Sequence, residues 1–367
     1  DGSVKEYRET GYADAADLTT TEIVASSINV LAENVPLPAP VMIGEGGRTI
    51  PDQIASPDGK APFDPSKYSI DFYESLEGMR VQLDSPEIIG PYTYELPVTV
   101  DAERHSRRTP AGGLIITDGD FNSDRLLIAS KPAQPVKTGD RLNGTVTGIM
   151  SYSYSNFKIL PDQPLPAIQD GGWKREVSTL HNGPRQLTIA SFNVENFWND
   201  PAAKEKTQRI ARDVVSNLNT PDIMALMEVQ DDSGATDDGT TDASKNFEAL
   251  IEAIQNAGGP VYRYASIAPI NNQDGGAPGG NIRVGFLYNP QRVSLPAAPG
   301  GAGDSVTAVT YGASGLTHNP GRIDPANVAF QDSRKSLAAQ FVFEGQSVIV
   351  IANHFNSKGG DQALYGA

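Results

Sequence analysis

The stretch LTIASFNVENF, residues Leu187–Phe197, begins a region in which strand and helix patterns alternate. Leu187–Phe192 is an apolar run of strand length, and Ala202–Leu218 carries apolar side chains at helical spacing. A second buried strand is predicted at Ile223–Met227, and a second helix begins near Ser244. This alternation predicts an α/β domain.

Three more strands are predicted further along the chain, at Ile282–Tyr288, Leu337–Phe343 and Val348–Ala352. A segment rich in glycine and proline, Leu295–Pro325, separates the first of them from the other two. The polar residues of interest follow the apolar runs. Because a packed sheet delivers the side chains at its strand ends into a cleft, we expect these residues to converge.

The first part of the chain has a different pattern, with short alternating runs such as Glu22–Ser26, Met79–Leu83 and Gly113–Thr117. A long bent hairpin is predicted from Asp140 to Ile159. These features predict an OB-like β-barrel accessory domain over residues 1–165. A segment of low periodicity, residues 166–186, predicts a linker, and residues 187–367 form the α/β domain.

Composition restricts the class of protein. The chain has 367 residues, no cysteine and a net charge of −16, so disulfides and thiolate metal sites are excluded. No apolar run approaches the length of a membrane-spanning helix. The acidic balance argues against a general polyanion binder, since lysine and arginine supply most nonspecific affinity for phosphates. The objection is weaker for an enzyme whose site holds divalent cations.

Two oxygen-bearing side chains follow the first two predicted strands of the α/β domain. Asn193 follows the first strand and Glu228 lies within the second apolar run. A buried carboxylate needs a cation or several donors, and Mg²⁺ accepts a few carboxylate or amide oxygens together with water and phosphate. Taken alone, Asn193 is more typical of a strand-terminating turn, and Glu228 is equally typical of an ion pair with arginine.

Two nitrogen-bearing side chains flank the last predicted strands. His354 follows Val348–Ala352, and imidazole can transfer protons near neutral pH. Arg334 precedes Leu337–Phe343, and its guanidinium could bind a phosphate through two donors. A histidine at a strand end is more often structural, and an arginine in a charged turn is more often simply solvated.

The order of these motifs resembles the endonuclease/exonuclease/phosphatase superfamily, which is deoxyribonuclease I-like in fold. The resemblance is carried by Phe192–Phe197, Ile282–Tyr288 and Asn353–Gly360, and is closest to large extracellular bacterial nucleases with an OB-like domain in front. It implies secretion and a catalytic group of His354, Asn193 and Arg334. It further implies that Glu228 and Asn193 hold Mg²⁺, with Mn²⁺ or Ca²⁺ as alternatives, and that water is the nucleophile.

The sequence departs from this family at its far end. Families of this type continue with Gly-Asp-Phe-Asn and Ser-Asp-His segments, and neither follows Ala367. Gly119–Asn122 spells the first of these but lies ahead of every other site residue, and is interpreted as a coincidental turn. A sheet with helices on one side only would expose its other apolar face. We therefore expect the α/β domain to be a truncated sandwich whose missing part completes the site.

The predicted function is metal-assisted hydrolysis of phosphodiesters in DNA, with RNA as an alternative, by a monomer that acts on nucleic acid and not on membranes. Two other functions stay open. One is a phosphatase or phospholipid phosphodiesterase of the same superfamily, and the other is a noncatalytic secreted or adhesion module. Tyr152, Tyr154 and Phe157 in the first domain are compatible with base stacking or with a barrel core.

Overall fold

The computed structural model describes residues 1–8, 18–53, 62–100, 108–110, 112–117, 122–131, 135–202 and 204–355. The chain divides into two compact units between Lys174 and Arg175. This division falls within the segment 166–186 that the sequence marks as a linker. Among the described residues, unit 2 extends from Arg175 to Phe355. None of the described helices is long and apolar enough to cross a membrane.

Among its described residues, unit 1 contains one helix, α1 (Ser69–Glu74), and many short strands. The strands are β1 (Gly2–Tyr7), β2 (Thr20–Ala25), β3 (Val41–Ile43), β4 (Arg80–Asp84), β5 (Glu87–Ile88), β6 (Glu95–Thr99), β7 (Leu126–Ala129), β8 (Arg141–Leu142), β9 (Thr145–Ser153), β10 (Asn156–Pro161) and β11 (Ile168–Gln169). Strands β1 and β2 form a separate antiparallel ribbon.

The other nine strands of unit 1 form one mixed sheet in the order β11-β8-β5-β6-β7-β10-β9-β4-β3. Within the described part of the chain, the outermost strands β11 and β3 do not pair, so the OB-like barrel is not shown. Alternate residues of β9 are buried, which is the period expected of a strand with one face on a core. Val146 and Met150 belong to that core, which also includes side chains from α1.

The predicted strands at Glu22–Ser26 and Met79–Leu83 are confirmed as β2 and β4. The predicted strand at Gly113–Thr117 is wrong. Leu114 makes a single bridge with Arg108, and the side chains that follow it are largely exposed. An apolar run becomes a strand only when a neighbouring backbone pairs along its length, and no local pattern specifies that neighbour. Residues 119–121 of the Gly-Asp-Phe-Asn motif lie outside the described residues.

The predicted hairpin is confirmed by β9 and β10, which pair from Gly148 to Pro161. Its aromatic residues have different environments. Tyr152 is buried, with its ring centroid 5.0 Å from that of Phe157, whereas Tyr154 is 56% exposed. Tyr152 and Phe157 therefore pack in or against the core, as expected of core aromatics.

Unit 2 has two helices, two short helical turns and two main sheets among its described residues. The two helices are α2 (Lys204–Arg212) and α3 (Ser244–Asn256). The two helical turns are a π-helical turn that continues α2 (Asp213–Asn217) and a 3₁₀ turn (Val328–Phe330). The strands are β12 (Ile189–Phe197), β13 (Ile223–Val229), β14 (Arg263–Ser266), β15 (Arg283–Tyr288), β16 (Tyr311–Gly312), β17 (Gly315–Leu316), β18 (Gly321–Arg322), β19 (Leu337–Phe343) and β20 (Gln346–Ala352).

Three layers make up unit 2. The first sheet has the order β12-β13-β15-β14 and the second has the order β18-β19-β20. Strand β13 shows how the layers meet: Met224 and Leu226 pack in the core with α2 and α3, and Ile223 and Ala225 pack in the core with β19 and β20. The expectation that the face opposite the helices is exposed is therefore wrong for the centre of this sheet, because the second sheet covers it.

The predicted elements of the α/β domain are confirmed, including the start of α3 at Ser244 and the strands β15, β19 and β20. Strand β14 was not predicted. It has four residues, it includes Arg263 and Ser266, and its residues show no clear alternation of apolar and polar side chains. It forms because the exposed edge of β15 is available for antiparallel pairing.

Candidate active site

Strands β12 and β13 are parallel, so their carboxyl ends lie side by side at one edge of the first sheet. Asn193 is in register with Met227, and the next paired residues are Phe197 and Val229. The ladder between β13 and β15 is interrupted at the same place. Glu228 thus lies where two ladders break, and a β-bulge of this kind redirects a side chain.

The backbone around this bulge is unusual. Glu195, Asn196 and Glu228 have φ angles of 54°, 48° and 64°. Non-glycine residues rarely adopt this left-handed conformation, which costs on the order of 1–3 kcal/mol for each residue. Such strain persists only where surrounding contacts hold it, and it is concentrated at functional sites.

The Glu228 carboxylate is the centre of the site. Asn193 Nδ2 donates to Glu228 Oε1 at 2.8 Å, and the backbone N–H of Asn196 donates to Oε2 at 2.9 Å. His354 Nε2 lies 3.3 Å from Oε1. The Asn193 amide is itself held, since its Oδ1 accepts from the backbone N–H of Glu195 at 2.7 Å. The bulge therefore orients the carboxylate, which remains 20% exposed.

His354 comes from the second sheet, two residues after β20 ends. Its side chain is 18% exposed, and Nδ1 is buried without a hydrogen-bond partner. Burial lowers the pKa of His354 and the Arg334 charge lowers it further, while Glu228 opposes both effects. This shift favours the neutral imidazole. A hydrogen bond from Nε2 to the Glu228 carboxylate requires the proton to be on Nε2, because a carboxylate only accepts.

Arg334 lies in the loop before β19 and is nearly buried. Its Nη2 donates to the backbone oxygen of Phe355 at 2.9 Å, beside His354, and its Nε has no hydrogen-bond partner. Burial lowers the pKa of Arg334, and the carboxylates of Glu228 and Asp274 oppose that shift. The guanidinium therefore adds positive charge close to the Glu228 and His354 pair, with donor capacity that the protein does not use.

A second group of charges, which the sequence analysis did not single out, lines a narrow crevice with Arg334. Asp274 is buried and accepts from Arg322 Nη2 at 2.9 Å and from Lys335 Nζ at 2.9 Å. Arg283 completes the group. The crevice is thus lined by four cationic side chains and one carboxylate, Asp274. Its net positive charge lies next to the Glu228 and His354 pair, because Arg334 belongs to both groups.

Arg283 is 2% exposed, and burial lowers its pKa to about 10. Its Nη2 donates to the Asn281 carbonyl at 3.2 Å, and its Nε has no partner. Gly275 lies beside this group of charges and has a φ of +63°. A Cβ atom at this position would lie 1.8 Å from the Asp332 carbonyl oxygen, so the backbone here requires glycine. Arg283 could have been found in the sequence, since it is the one charged residue in the apolar strand β15.

The structure brings together Asn193, Glu228 and His354 as the sequence predicts, and it places Arg334 beside them through Phe355. Asn193 hydrogen bonds to the carboxylate, and its direct ligation of a cation stays a prediction. The remainder of the Asn353–Gly360 motif, from Asn356 onward, lies outside the described residues.

The donor set fits one kind of cation site. Among the described residues, no group of three or more histidine, cysteine, aspartate or glutamate side chains could hold a metal. The described residues therefore do not form a site in which protein side chains alone complete the coordination of a metal ion. Mg²⁺ is commonly held by one or two carboxylates, with water and substrate phosphate completing its shell. The partly exposed Glu228 carboxylate suits that open arrangement.

Comparisons with known proteins place these features in context. A family model described as a domain of unknown function, DUF8508, matches residues 42–170, which lie in unit 1. No curated protein matches the chain.

Several solved structures are similar to the chain. One is an endonuclease/exonuclease/phosphatase family protein from Leptotrichia buccalis C-1013-b, with 16% identity, a TM-score of 0.30, and coverage of 48% of this chain and 57% of that one. Another is TDP2 from D. rerio complexed with a single-strand DNA product, with 16% identity, a TM-score of 0.26 and coverage of 48% of each chain. A functionally unknown conserved protein from Enterococcus faecalis V583 has 14% identity and a TM-score of 0.25, covering 46% of this chain and 52% of that one. This chain spans about half the length of these proteins.

Proposed function

We propose that the chain is a phosphodiester hydrolase, and specifically a secreted nuclease that acts on DNA, with RNA as the alternative. The observation that carries the proposal is the convergence of Asn193, Glu228 and His354 within hydrogen-bond distance at one mouth of the sandwich. Perturbed titratable groups and a strained backbone at that mouth support a catalytic role.

The proposed reaction is hydrolysis by water. An oxygen–phosphorus bond forms to water, the bond to the leaving oxygen breaks, and the proton lost by water is balanced by the proton that the leaving oxygen gains. A neutral His354 would act first as the base: it would take the proton that water loses and then, as imidazolium, give a proton to the leaving oxygen, so that its charge is restored at the end of the reaction. Arg334 supplies donors for the phosphoryl oxygens.

Glu228 would hold a divalent cation, with Asn193 fixing the carboxylate. When bound, such an ion would stabilise the negative charge that develops on the phosphoryl oxygens. The bulge at Asn193–Phe197 presents the carboxylate to solvent in a single orientation, so that the protein does not have to reorganise during the reaction.

Secretion is part of the proposal and is supported by the motif resemblance to extracellular bacterial nucleases. It can be tested by measuring where nuclease activity and the chain itself are recovered, in the culture medium or in the cells. Recovery of the native protein only from the cytoplasm would contradict this part and leave the chemistry unaffected.

The central experiment compares substrates. Plasmid DNA, linear DNA, RNA, sphingomyelin and a phosphomonoester are each incubated with the full chain in Mg²⁺ and in EDTA. We expect DNA hydrolysis that EDTA abolishes and that Glu228→Ala or His354→Ala reduces by roughly 10²-fold or more. Hydrolysis only of sphingomyelin or the monoester would favour the phosphatase or phospholipase alternative. If neither the unmodified chain nor the two variants hydrolysed any of these substrates, the result would favour a noncatalytic module.

A further inference from the structure

Helix α2 carries an unusual surface for a chain with a net charge of −16. Its sequence, KEKTQRIAR, contains four cations and one carboxylate. The buried side of the helix is formed by Thr207, Ile210 and Ala211. Lys204 and Arg209 are exposed, so this surface presents a concentrated positive charge to solvent.

This basic surface adjoins the candidate active site. Lys206 Nζ donates to the backbone oxygen of Glu195, and Arg209 Nη2 lies 3.8 Å from the Glu195 carboxylate. The next residue, Asn196, donates its backbone N–H to Glu228. Only the bulge thus separates the cations of α2 from the carboxylate at the centre of the site.

Helix stability does not explain all of these cations. Arg209 lies in the last turn of α2, where the helix dipole favours positive charge. Lys204 and Lys206 lie in the first turn, where the same dipole disfavours it. The pair between Arg209 and Glu195 is largely exposed, with side-chain exposures of 52% and 80%, so it contributes little to stability. Lys206 already donates to the Glu195 backbone oxygen, and an anionic ligand would explain the exposed Lys204 at the start of the helix.

We propose that Lys204, Lys206 and Arg209 bind a backbone phosphate next to the scissile one, so that the substrate is a polynucleotide strand. The inference rests on the proposed function and adds to it a binding position for a second phosphate of the nucleic-acid substrate. A strand carries a phosphate at every nucleotide, and cations beside a cleavage site would hold the neighbouring phosphate without reading the bases. A phosphomonoester or a lipid headgroup has no second phosphodiester for this surface to bind.

The test measures binding apart from cleavage. Anisotropy of a fluorescein-labelled single-stranded DNA oligonucleotide is followed with the full chain in EDTA over a range of salt concentrations. The variant is Lys204→Gln/Arg209→Gln. The matched control is Arg185→Gln/Arg263→Gln, which removes the same charge from exposed positions.

The control positions lie at the other end of the first sheet. Arg263 pairs with Tyr288, which pairs with Ile223 at the start of β13, and Arg185 precedes β12. Glu228 lies near the far end of β13. Both variants lose the same charge, so a loss of long-range attraction would weaken DNA binding equally in the two. A difference in affinity between them therefore reports a local contact with Lys204 or Arg209.

We expect the dependence of log affinity on log salt to become shallower by about 1.5 for Lys204→Gln/Arg209→Gln, with about a tenfold loss of affinity at low salt, and a smaller change for the control. Equal changes in the two variants would overturn the inference, and so would an unmodified chain that does not bind the oligonucleotide. Salt-dependent binding that follows the expectation, without hydrolysis of any substrate in Mg²⁺, would overturn the proposed function and leave the phosphate-binding surface supported.

Discussion

The two ends of strand β13 make different use of a carboxylate. At the start of the strand, Asp222 is fully buried and accepts from Thr188 and from Arg292 Nε at 2.8 Å. Arg292 is itself held by the backbone oxygens of Gly183 and Gln186, each at 2.8 Å. This carboxylate has its donors fixed around it, as expected of a pair that supports the structure.

At the other end, Glu228 is partly exposed on a left-handed backbone, and its neighbours keep unused capacity. His354 Nδ1 and the Nε atoms of Arg334 and Arg283 are buried without partners. Unpaired buried groups cost free energy, so an arrangement selected only for stability would have paired them. The difference teaches that a fully buried carboxylate with its donors fixed around it indicates support, and that a partly exposed one whose neighbours keep unpaired polar atoms indicates a site.

The largest expected effect is at the supporting end. Asp222→Ala should reduce the free energy of unfolding by roughly 3–5 kcal/mol, because Arg292 is left without its counter-ion. Urea unfolding of the full chain measures this. Arg292→Ala should cost a comparable amount, and the double variant should cost less than the sum of the two. Additive losses would show that the two side chains are not coupled.

The corresponding change at the site end should separate activity from stability. Glu228→Gln keeps the shape of the side chain and removes its charge, so we expect turnover to fall by roughly 10²-fold while the free energy of unfolding changes by less than about 1 kcal/mol. Nuclease assays and urea unfolding on the same preparation provide the two values. A large loss of stability with activity retained would reverse the roles assigned to the two ends.

Arg334→Lys should have a smaller effect on activity. Lysine keeps the positive charge but loses the planar pair of donors, so kcat/KM for DNA should fall by about tenfold with little change in stability. Initial rates over a range of substrate concentrations give this value. An unchanged kcat/KM would place Arg334 outside phosphate binding, with its bond to Phe355 as its main role.

Unit 1 offers the smallest expected effect, at the Glu74 carboxylate, one oxygen of which is buried without a hydrogen-bond partner. Burial, followed by the charges of Glu77, Glu6 and Asp71, raises the pKa of Glu74 from 4.5 to about 7 in total. The folded pKa exceeds the unfolded one, so the stabilisation is complete below about pH 4.5 and is lost as the pH rises through 7. Hydrogen exchange in β4 and β9 reports the stability of unit 1.

Glu74→Gln should remove that pH dependence and stabilise unit 1 at pH 8 by about 1 kcal/mol, a value reduced for partial exposure. Glu45→Gln, at an exposed position of the same unit, is the control and should change neither quantity. Nuclease activity should be unaffected by both substitutions. If Glu74→Gln reduced activity, an unpartnered buried carboxylate in unit 1 would also indicate a site.

Local patterns identified the parts of unit 2 whose periodicity is strong. The helical spacing of Ala202–Leu218 predicts which face of α2 is buried, the apolar runs of β13, β15 and β19 predict buried strands, and the structure agrees. The prediction of a strand at Gly113–Thr117 was wrong because a short apolar run does not specify which neighbouring strand it would pair with. The short strand β14 was missed because its pairing depends on β15.

For the site, the sequence by itself determined the residue types near the strand ends: Asn193 and Glu228 in β12 and β13, Arg334 before β19 and His354 after β20. Only the tertiary structure decided that the carboxylate lies on a bulge, that a histidine from the second sheet reaches it, and that Arg283 and Arg322 gather beside Arg334. Those relations join residues far apart in the chain, and they arise when two sheets pack face to face. A local pattern records which side of a strand is buried, but it holds no information on which distant side chain will be across from it.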